Sequence, residues 1–360
     1  MSENILNEFK QTITHLGYID PSIYINREKI INGIKKSIDR AFILDSSISF
    51  IIYGPYGVGK THTLLHLKQY LHKTKDVDVV SHVNSPLLHR RSTFVDLYKQ
   101  IIVNMGQEYI YELFEKISTK LSLDNKIKKE YELFKPINNL INHRDLTSVI
   151  ISSIYSSEIK YIIWKWLIGE KMSNNEKKML GIVNDNDNTL NAIKTLSAII
   201  VINYLINKKP MAIMIDELEH IVQLNYEYGV DFIQGFRSLI EIRKGLILFF
   251  SFASESLEDV PYISENKILF RVGRNEIHKL DYFSEFEGQE YIIELLEKLR
   301  VNEKKDVIRK NVFYPFTQEA IDRILMENLL TPRKIMMMLA RGLGNAVMSN
   351  SFIVTDDMVE

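Results

Sequence analysis

One short stretch of this sequence has the residue types and the spacing needed to surround phosphate groups. The apolar run Ile51–Tyr53 leads directly into eight residues with the spacing G-x-x-x-x-G-K-T: Gly54, Pro55, Tyr56, Gly57, Val58, Gly59, Lys60 and Thr61. Glycines in this pattern let the backbone turn so tightly that consecutive N–H groups point into one concavity, at the positive end of the helix that follows. The spacing is that of a Walker A motif, and it predicts a phosphate-binding loop (P-loop).

Two side chains of this loop are suited to the charges of a bound nucleotide. Lys60 is expected to reach the β- and γ-phosphates of ATP, and the Thr61 hydroxyl is expected to hold Mg²⁺. Contacts to the nucleotide are expected to extend from Gly54 to His62. A glycine-rich turn without a ligand is the alternative. The strand before the loop and the apolar helix after it, with Leu64, Leu65, Leu67 and Leu71, favour nucleotide binding.

A second stretch places carboxylates at the end of a strand. The run Met211–Ile215 is apolar throughout, which is typical of a buried parallel strand, and it is followed by Asp216 and Glu217. Asp216 would bind Mg²⁺ through water, and Glu217 would polarise the attacking water. An acidic helix cap is the alternative, but the upstream P-loop favours a Walker B pair.

A hydroxyl group ends the next apolar run, Gly245–Ser251, which predicts another buried strand. A hydroxyl at that tip lies beside the Walker B tip and can touch the γ-phosphate or the attacking water. Ser251 is the preferred candidate for this role, and Ser254 is the alternative.

The elements that position these motifs are mostly helical by their patterns. A helix beginning at Asn26–Glu28 could form a wall of the adenine pocket or simply face the core. Patterns within residues 107–188 predict further helices, among them Leu146–Leu167. Asn184–Asn188 lacks the glycine and the distal glutamate of a calcium loop, so we interpret it as a polar linker. The basic cluster His89–Arg91 is interpreted as a solvated loop.

Composition narrows the class of protein. The 360 residues carry a formal net charge of −1, which weighs against a generally basic protein that coats nucleic acid. The sequence contains no cysteine, which excludes disulfides, thiolate zinc sites and cysteine nucleophiles. The N-terminus lacks the layout of a signal peptide, and the longest apolar runs are short and are interpreted as core. A cytoplasmic protein without a membrane partner is therefore expected.

The order of these parts resembles that of the AAA+ ATPases. It is nearest to the branch of origin-recognition-complex ATPases, clamp loaders and related defence-island (BREX-type) ATPases. Asn26–Glu28 is similar to the Arg-Glu that precedes the P-loop in that branch. Arg271, within Leu269–Leu280, aligns with the arginine finger of clamp loaders. Leu330–Ile335 resembles the sensor-2 stretch containing Arg333, although Thr331 replaces the usual asparagine or aspartate.

This resemblance implies an α/β fold: a P-loop NTPase (AAA+) αβα sandwich with a five-stranded parallel sheet. It also implies a C-terminal helical lid. Residues 107–188 depart from the resemblance, because relatives have a short connection there, and we interpret them as an inserted, partner-facing helical module. The corresponding domains are an N-terminal flank (1–47), the nucleotide-binding core (48–280, with the insert at about 107–188) and the lid (281–360). Origin-binding relatives add a C-terminal winged helix. This sequence ends where the lid ends, which weakens an expectation of direct origin binding.

The function implied by the resemblance is Mg²⁺-dependent ATP hydrolysis in a homo-oligomer, either a ring or an open spiral. Arg333 would approach the γ-phosphate with the lid, and Arg271 of a neighbouring subunit would complete the site. The oligomer would drive or gate a separate effector protein, in DNA maintenance or in phage defence. The alternatives are a nucleotide-dependent DNA-binding scaffold or loader with low turnover, and a switch whose ATP state controls the assembly of a partner.

Overall fold

The computed structural model describes residues 5, 21, 23–74, 77, 80–84, 92–125, 130–155, 157–224, 226–259, 271–300 and 311–360. Its strands are β1 (Ile48–Gly54), β2 (Val80–Val83), β3 (Met211–Ile215), β4 (Leu246–Ala253) and β5 (Ile277–Lys279). The first helices along the chain are α1 (Glu28–Ile43), α2 (Lys60–Thr74), α3 (Phe94–Met105), α4 (Gln107–Asn125), α5 (Glu130–Ile141), α6 (Arg144–Tyr155) and α7 (Lys160–Leu167). The remaining helices are α8 (Asn174–Leu180), α9 (Thr189–Asn207), α10 (Tyr226–Ile240), α11 (Glu285–Leu299), α12 (Gln318–Leu325) and α13 (Pro332–Met348).

The described residues form two compact units. One unit comprises Met1–Gly33, Gly54–Gln69 and Lys279–Glu360, so it contains the P-loop and the C-terminal helices. Its apolar core is built largely from α11, α12 and α13. The other unit comprises Ile34–Tyr53 and Tyr70–His278 and contains the sheet.

The five strands form one parallel sheet in the order β2-β3-β4-β1-β5, which confirms the predicted α/β P-loop fold. The register is explicit at the centre, where Met214 pairs with Phe249 and Ile215 pairs with Phe250. Every residue of β3 is buried, as its continuous apolar run predicts for a strand covered on both faces. One face of the sheet packs on α3, α9 and α10 through a shared apolar cluster.

The helices of residues 107–188 belong to that same cluster. Phe114 of α4, Ile137 of α5 and Trp166 of α7 are fully buried within it. The Tyr109 hydroxyl also donates a hydrogen bond of 2.5 Å to Asn203 Oδ1 on α9. This helical block is therefore part of the core that supports the sheet.

Three local predictions need correction. Strand β4 runs to Ala253, two residues beyond the predicted end at Ser251, because Phe252 is still buried. The predicted helix Leu146–Leu167 is two helices, α6 and α7, with a 3₁₀ turn at Ser157–Ile159. Asn184–Asn188 is not a linker, since Asn186 is fully buried and accepts a hydrogen bond of 2.8 Å from the Thr195 hydroxyl. The cluster His89–Arg91 lies outside the described residues.

Helix α9 is the one helix in the described part of the chain that is long and apolar enough to cross a membrane by length and composition. In the structure, 44% of its most apolar window is buried inside the protein. Leu196, Ile199 and Ile200 are fully buried in the cluster under the sheet. Its apolar character is accounted for by this position in the core.

Candidate nucleotide site

The backbone of the P-loop needs glycine for two different reasons. At Gly54, an added Cβ would lie 2.1 Å from the carbonyl oxygen of Leu280, so the close approach of two backbone segments excludes a side chain. At Gly59, nothing lies within 4 Å of such a Cβ, but φ is +100°. Residues with a side chain rarely adopt that conformation. The loop that these two glycines shape leads directly into the N-terminus of α2.

The charged side chain of the loop is held close to the backbone. Lys60 is only 9% exposed, and its Nζ donates hydrogen bonds of 2.9 Å to the Gly54 carbonyl and 2.7 Å to the Pro55 carbonyl. The ammonium also lies 5.5 Å from the centre of the Tyr56 ring. Thr61, by contrast, is exposed. The loop therefore presents a fixed cation and an accessible hydroxyl, which suit a phosphate chain and its metal ion.

The chain just before α1 packs on the helix that follows the P-loop. His62 Nε2 donates a hydrogen bond of 2.8 Å to the Ile23 carbonyl, and the Tyr24 ring stacks on His66 at 4.5 Å between centroids. The Tyr24 hydroxyl lies 2.9 Å from Thr63 Oγ1, and burial raises the pKa of Tyr24 to about 12. This segment thus covers the first turns of α2, and its Ile23 carbonyl engages Nε2 of the His62 ring in a hydrogen bond.

Arg27 has a role that the sequence pattern did not reveal. Its Nη2 donates a hydrogen bond of 2.6 Å to the Asp281 carbonyl, and its guanidinium lies 5.0 Å from the centre of the Phe283 ring. Burial lowers the pKa of Arg27 below its ordinary value. The arginine that resembles a family motif therefore ties the start of α1 to the segment that leads into α11.

Helix α13 begins against the P-loop. Thr331 is its N-cap, since its hydroxyl accepts a hydrogen bond of 3.2 Å from the Lys334 amide, and Pro332 occupies the first helical position. The Arg333 amide donates to the Gly57 carbonyl at 3.4 Å, and the Arg333 side chain is exposed. Threonine, asparagine and aspartate are all good N-caps, so Thr331 keeps the structural role of the residue that it replaces.

The carboxylate of Asp216 lies beside a strand neighbour with a suitable hydroxyl. Asp216 is 2% exposed, and its amide donates to the Val83 carbonyl of β2 at 2.9 Å. Continuing the β3–β4 register by one residue pairs Asp216 with Ser251. Ser251 is fully buried, and its Oγ has no hydrogen-bond partner in the described part of the chain. A buried hydroxyl without a partner costs about 1–3 kcal/mol, a cost that a hydrogen bond to a ligand would offset.

The second Walker B residue has a strained backbone. Glu217 has φ 55° and ψ 38°, the left-handed region that glycine, asparagine and aspartate favour. Its amide donates to Asp216 Oδ1 at 3.0 Å, and its side chain is exposed. Such conformations cost of the order of 1–3 kcal/mol and concentrate at functional sites.

The remaining predicted residues have ordinary surroundings. Arg271 forms an ion pair of 2.7 Å with Glu241, and both side chains are largely exposed. Exposed pairs of this kind contribute about 0–1 kcal/mol, so this one would be broken at little cost. The Ser254 hydroxyl donates to the Ser256 carbonyl at 2.5 Å, whereas that of Ser251 has no partner among the described residues. The role of Arg271 as a finger stays a prediction.

The fold and the glycine-rich loop define a P-loop NTPase, as the sequence predicted, and solved structures of several other proteins share this fold. Cdc6p from Pyrobaculum aerophilum is similar with a TM-score of 0.52 and 9% identity, over 96% of this chain and 68% of that one. The Aeropyrum pernix ORC2 protein, solved as ADPNP–ADP complexes, gives a TM-score of 0.56 and 12% identity, over 98% of this chain and 70% of that one. Drosophila ORC bound to DNA gives a TM-score of 0.53 and 12% identity, over 97% of this chain and 62% of that one.

Residues 27–227, more than half of the chain, match the model of the KAP family P-loop domain. The chain therefore belongs to the KAP family of P-loop NTPases, a family that the sequence analysis did not name. No curated protein sequence matches this chain. The match begins at Arg27, contains both Walker motifs and ends shortly after Glu217.

Proposed function

We propose that this chain binds MgATP at its P-loop and hydrolyses it with the Walker B carboxylates. The observation that carries this proposal is the fully buried Ser251 hydroxyl without a partner in the described residues, next in register to Asp216. A phosphate oxygen or a metal-bound water would satisfy it. The tight backbone turn at the glycines of the loop and the cation of Lys60 also suit a phosphate chain.

Each residue has a definite part in this proposal. Lys60 holds positive charge against the phosphates, and Thr61 and Asp216 hold the metal ion, which neutralises phosphate charge when it is bound. Glu217 orients and polarises the attacking water. Because the Arg333 amide contacts the Gly57 carbonyl, a change in the loop on nucleotide binding would reach the first turn of α13.

The protein is further proposed to act as a homo-oligomer in the cytoplasm, in which Arg271 completes the site of a neighbouring subunit. Its nucleotide state would drive or gate a separate effector protein in DNA maintenance or phage defence. DNA is the proposed polynucleotide partner, which the likeness to Drosophila ORC bound to DNA supports. With DNA as the partner, a DNA-binding scaffold with low turnover is the second candidate function.

Two variants test the hydrolysis proposal. Lys60→Ala should abolish binding of a fluorescent ATP analogue, because the loop loses its side-chain cation. Glu217→Gln keeps the shape of the side chain and should bind the analogue normally while hydrolysing ATP at least ~100-fold more slowly. Glu258→Gln, an exposed carboxylate just beyond β4, is the matched control and should behave as wild type. Normal turnover in Lys60→Ala would refute the proposal.

Turnover with and without duplex DNA separates the two candidate functions. A motor is expected to hydrolyse ATP faster when DNA is present. A scaffold is expected to bind DNA more tightly with ATP than with ADP and to show low turnover in both conditions. Deleting residues 107–188 would not test a partner surface, because that block supplies buried residues such as Phe114 and Trp166 to the core. Capture experiments with Tyr161→Ser are more suitable, since Tyr161 is 73% exposed.

A further inference from the structure

Three carboxylates follow β3 within four residues, and their surroundings differ. Asp216 is buried, and Glu217 is exposed in a left-handed backbone conformation. Glu219 is half-buried in the 3₁₀ turn Leu218–Gln223. Its Oε2 accepts a hydrogen bond of 2.9 Å from the backbone N–H of Ala253, the last residue of β4. The carboxylate of Glu219 therefore links the turn after one central strand to the end of its neighbour.

We infer that Glu219 is a positioning residue: its bond to Ala253 fixes the turn that carries Glu217 relative to Asp216 and Ser251. This inference rests on the proposed hydrolysis at that site. Glu219 itself does not contact the substrate. The residue acts through the backbone that orients Glu217.

The left-handed conformation of Glu217 needs external support. A strained backbone persists only where the surrounding structure over-determines it. Two hydrogen bonds lie within the turn: the Glu217 amide donates to Asp216 Oδ1 at 3.0 Å, and the His220 amide donates to the Glu217 carbonyl at 3.4 Å. These two bonds fix the turn internally, and the buried side chains of Leu218 and Ile221 anchor it in the core.

Two further hydrogen bonds hold the turn between its neighbouring strands. On the β2 side, the Asp216 amide donates to the Val83 carbonyl at 2.9 Å. On the β4 side, the bond from Ala253 to Glu219 has the same role. Ala253 is two residues beyond Ser251, so this bond also fixes the end of the strand that carries the Ser251 hydroxyl.

The length of the side chain and its acceptor atom matter here more than its charge. Glu219→Gln keeps one acceptor oxygen at the same distance from the backbone, removes the charge and replaces the other oxygen by an NH2 donor. Glu219→Asp keeps the charge but is one methylene shorter, so it cannot reach Ala253 without moving the turn. Glu219→Ala removes the acceptor. These three variants distinguish positioning from a direct electrostatic role.

The experiment measures kcat, KM, the Kd of a slowly hydrolysed ATP analogue and the melting temperature of the full chain. A hydrogen bond to a charged group has a strength that corresponds to a change of ~10- to 100-fold in rate. Glu219→Ala and Glu219→Asp should lower kcat by about that factor while the Kd stays within about twofold of wild type. Glu219→Gln should restore most of kcat. Glu258→Ala is the control and should leave all four quantities unchanged.

The outcomes are distinguishable. If wild type turns over and Glu217→Gln does not, unchanged kcat in Glu219→Ala overturns the positioning role and leaves the proposed function intact. A glutamine variant as slow as the alanine variant overturns positioning in favour of a charge effect. If Glu219→Ala fails to fold, the aspartate and glutamine variants decide by the same criteria. A wild-type chain without turnover, with or without DNA, overturns the proposed function and this inference together.

Discussion

The substitution Gly54→Ala tests the geometry of the P-loop most directly. Gly54 ends β1, and the Leu280 carbonyl oxygen lies 2.1 Å from the position that an alanine Cβ would occupy. Ordinary contacts of a Cβ begin at about 3.4 Å, so the new methyl group would be more than 1 Å too close. The neighbouring atom belongs to the backbone, which means that no side-chain rotation can relieve the clash.

The expected magnitude follows from two terms. Overpacking in a closely packed region costs roughly 1–3 kcal/mol. The backbone of Gly54, with φ +153°, adds a further penalty of up to ~1–3 kcal/mol for a residue with a side chain. A total of about 2–6 kcal/mol is a large part of the ~5–15 kcal/mol that typically stabilises a domain. We expect a fall in melting temperature of roughly 5–20 °C and loss of nucleotide binding, because the loop must move.

Thermal unfolding and titration with a fluorescent ATP analogue measure both effects. The matched control is Gly344→Ala in the C-terminal part of α13, where nothing lies within 4 Å of the added Cβ. Alanine there should stabilise the protein by about 0.5–1 kcal/mol, because it favours the helix. A shift in melting temperature of about 2 °C corresponds to ~1 kcal/mol or less. A Gly54→Ala variant that melts within that range of wild type and binds ATP normally would refute the steric argument.

Three further predictions concern other parts of the molecule. Arg271→Ala should leave the ATP affinity nearly intact and lower turnover by ~10³-fold or more. Mixing with Lys60→Ala subunits should restore part of the turnover, and the control Arg274→Ala should have no effect. Turnover per subunit that stays constant on dilution to monomers would contradict a finger in trans. Arg27→Met should reduce the free energy of unfolding by about 1–3 kcal/mol in urea denaturation, because the Asp281 carbonyl loses its charged donor, whereas the exposed control Lys29→Met should change it little. Burial lowers the pKa of His143 below its ordinary 6.5, so the unfolded chain binds the proton more readily than the folded chain does. The free energy of unfolding should therefore fall as the pH drops below 6.5. In His143→Gln the fall between pH 7.5 and 5.5 should be smaller, and an identical fall would contradict the argument.

Much of the fold was predictable because its signals are local. Continuous apolar runs predicted β3 and β4, since strands of a parallel sheet are covered on both faces. The end of β4 was mispredicted, because the polar Ser251 interrupts the apolar run although Phe252 beyond it is still buried. The break between α6 and α7 was missed for a similar reason, because both helices bury one face and the apolar pattern continues across the 3₁₀ turn.

The sequence by itself determined the phosphate-binding loop, because eight consecutive residues contain all of its chemistry, whereas the close approach of the Leu280 carbonyl to Gly54 came from the tertiary structure. It also determined that Asp216 and Glu217 follow a buried strand. Only the tertiary structure decided that Ser251 is next to Asp216 in register and that Glu219, 34 residues before Ala253, holds the end of β4. It likewise decided that Arg27 contacts the Asp281 carbonyl, 254 residues away along the chain. Contacts of this kind depend on strand order and register, which are set by the packing of the whole sheet and its helices rather than by any local run of residues.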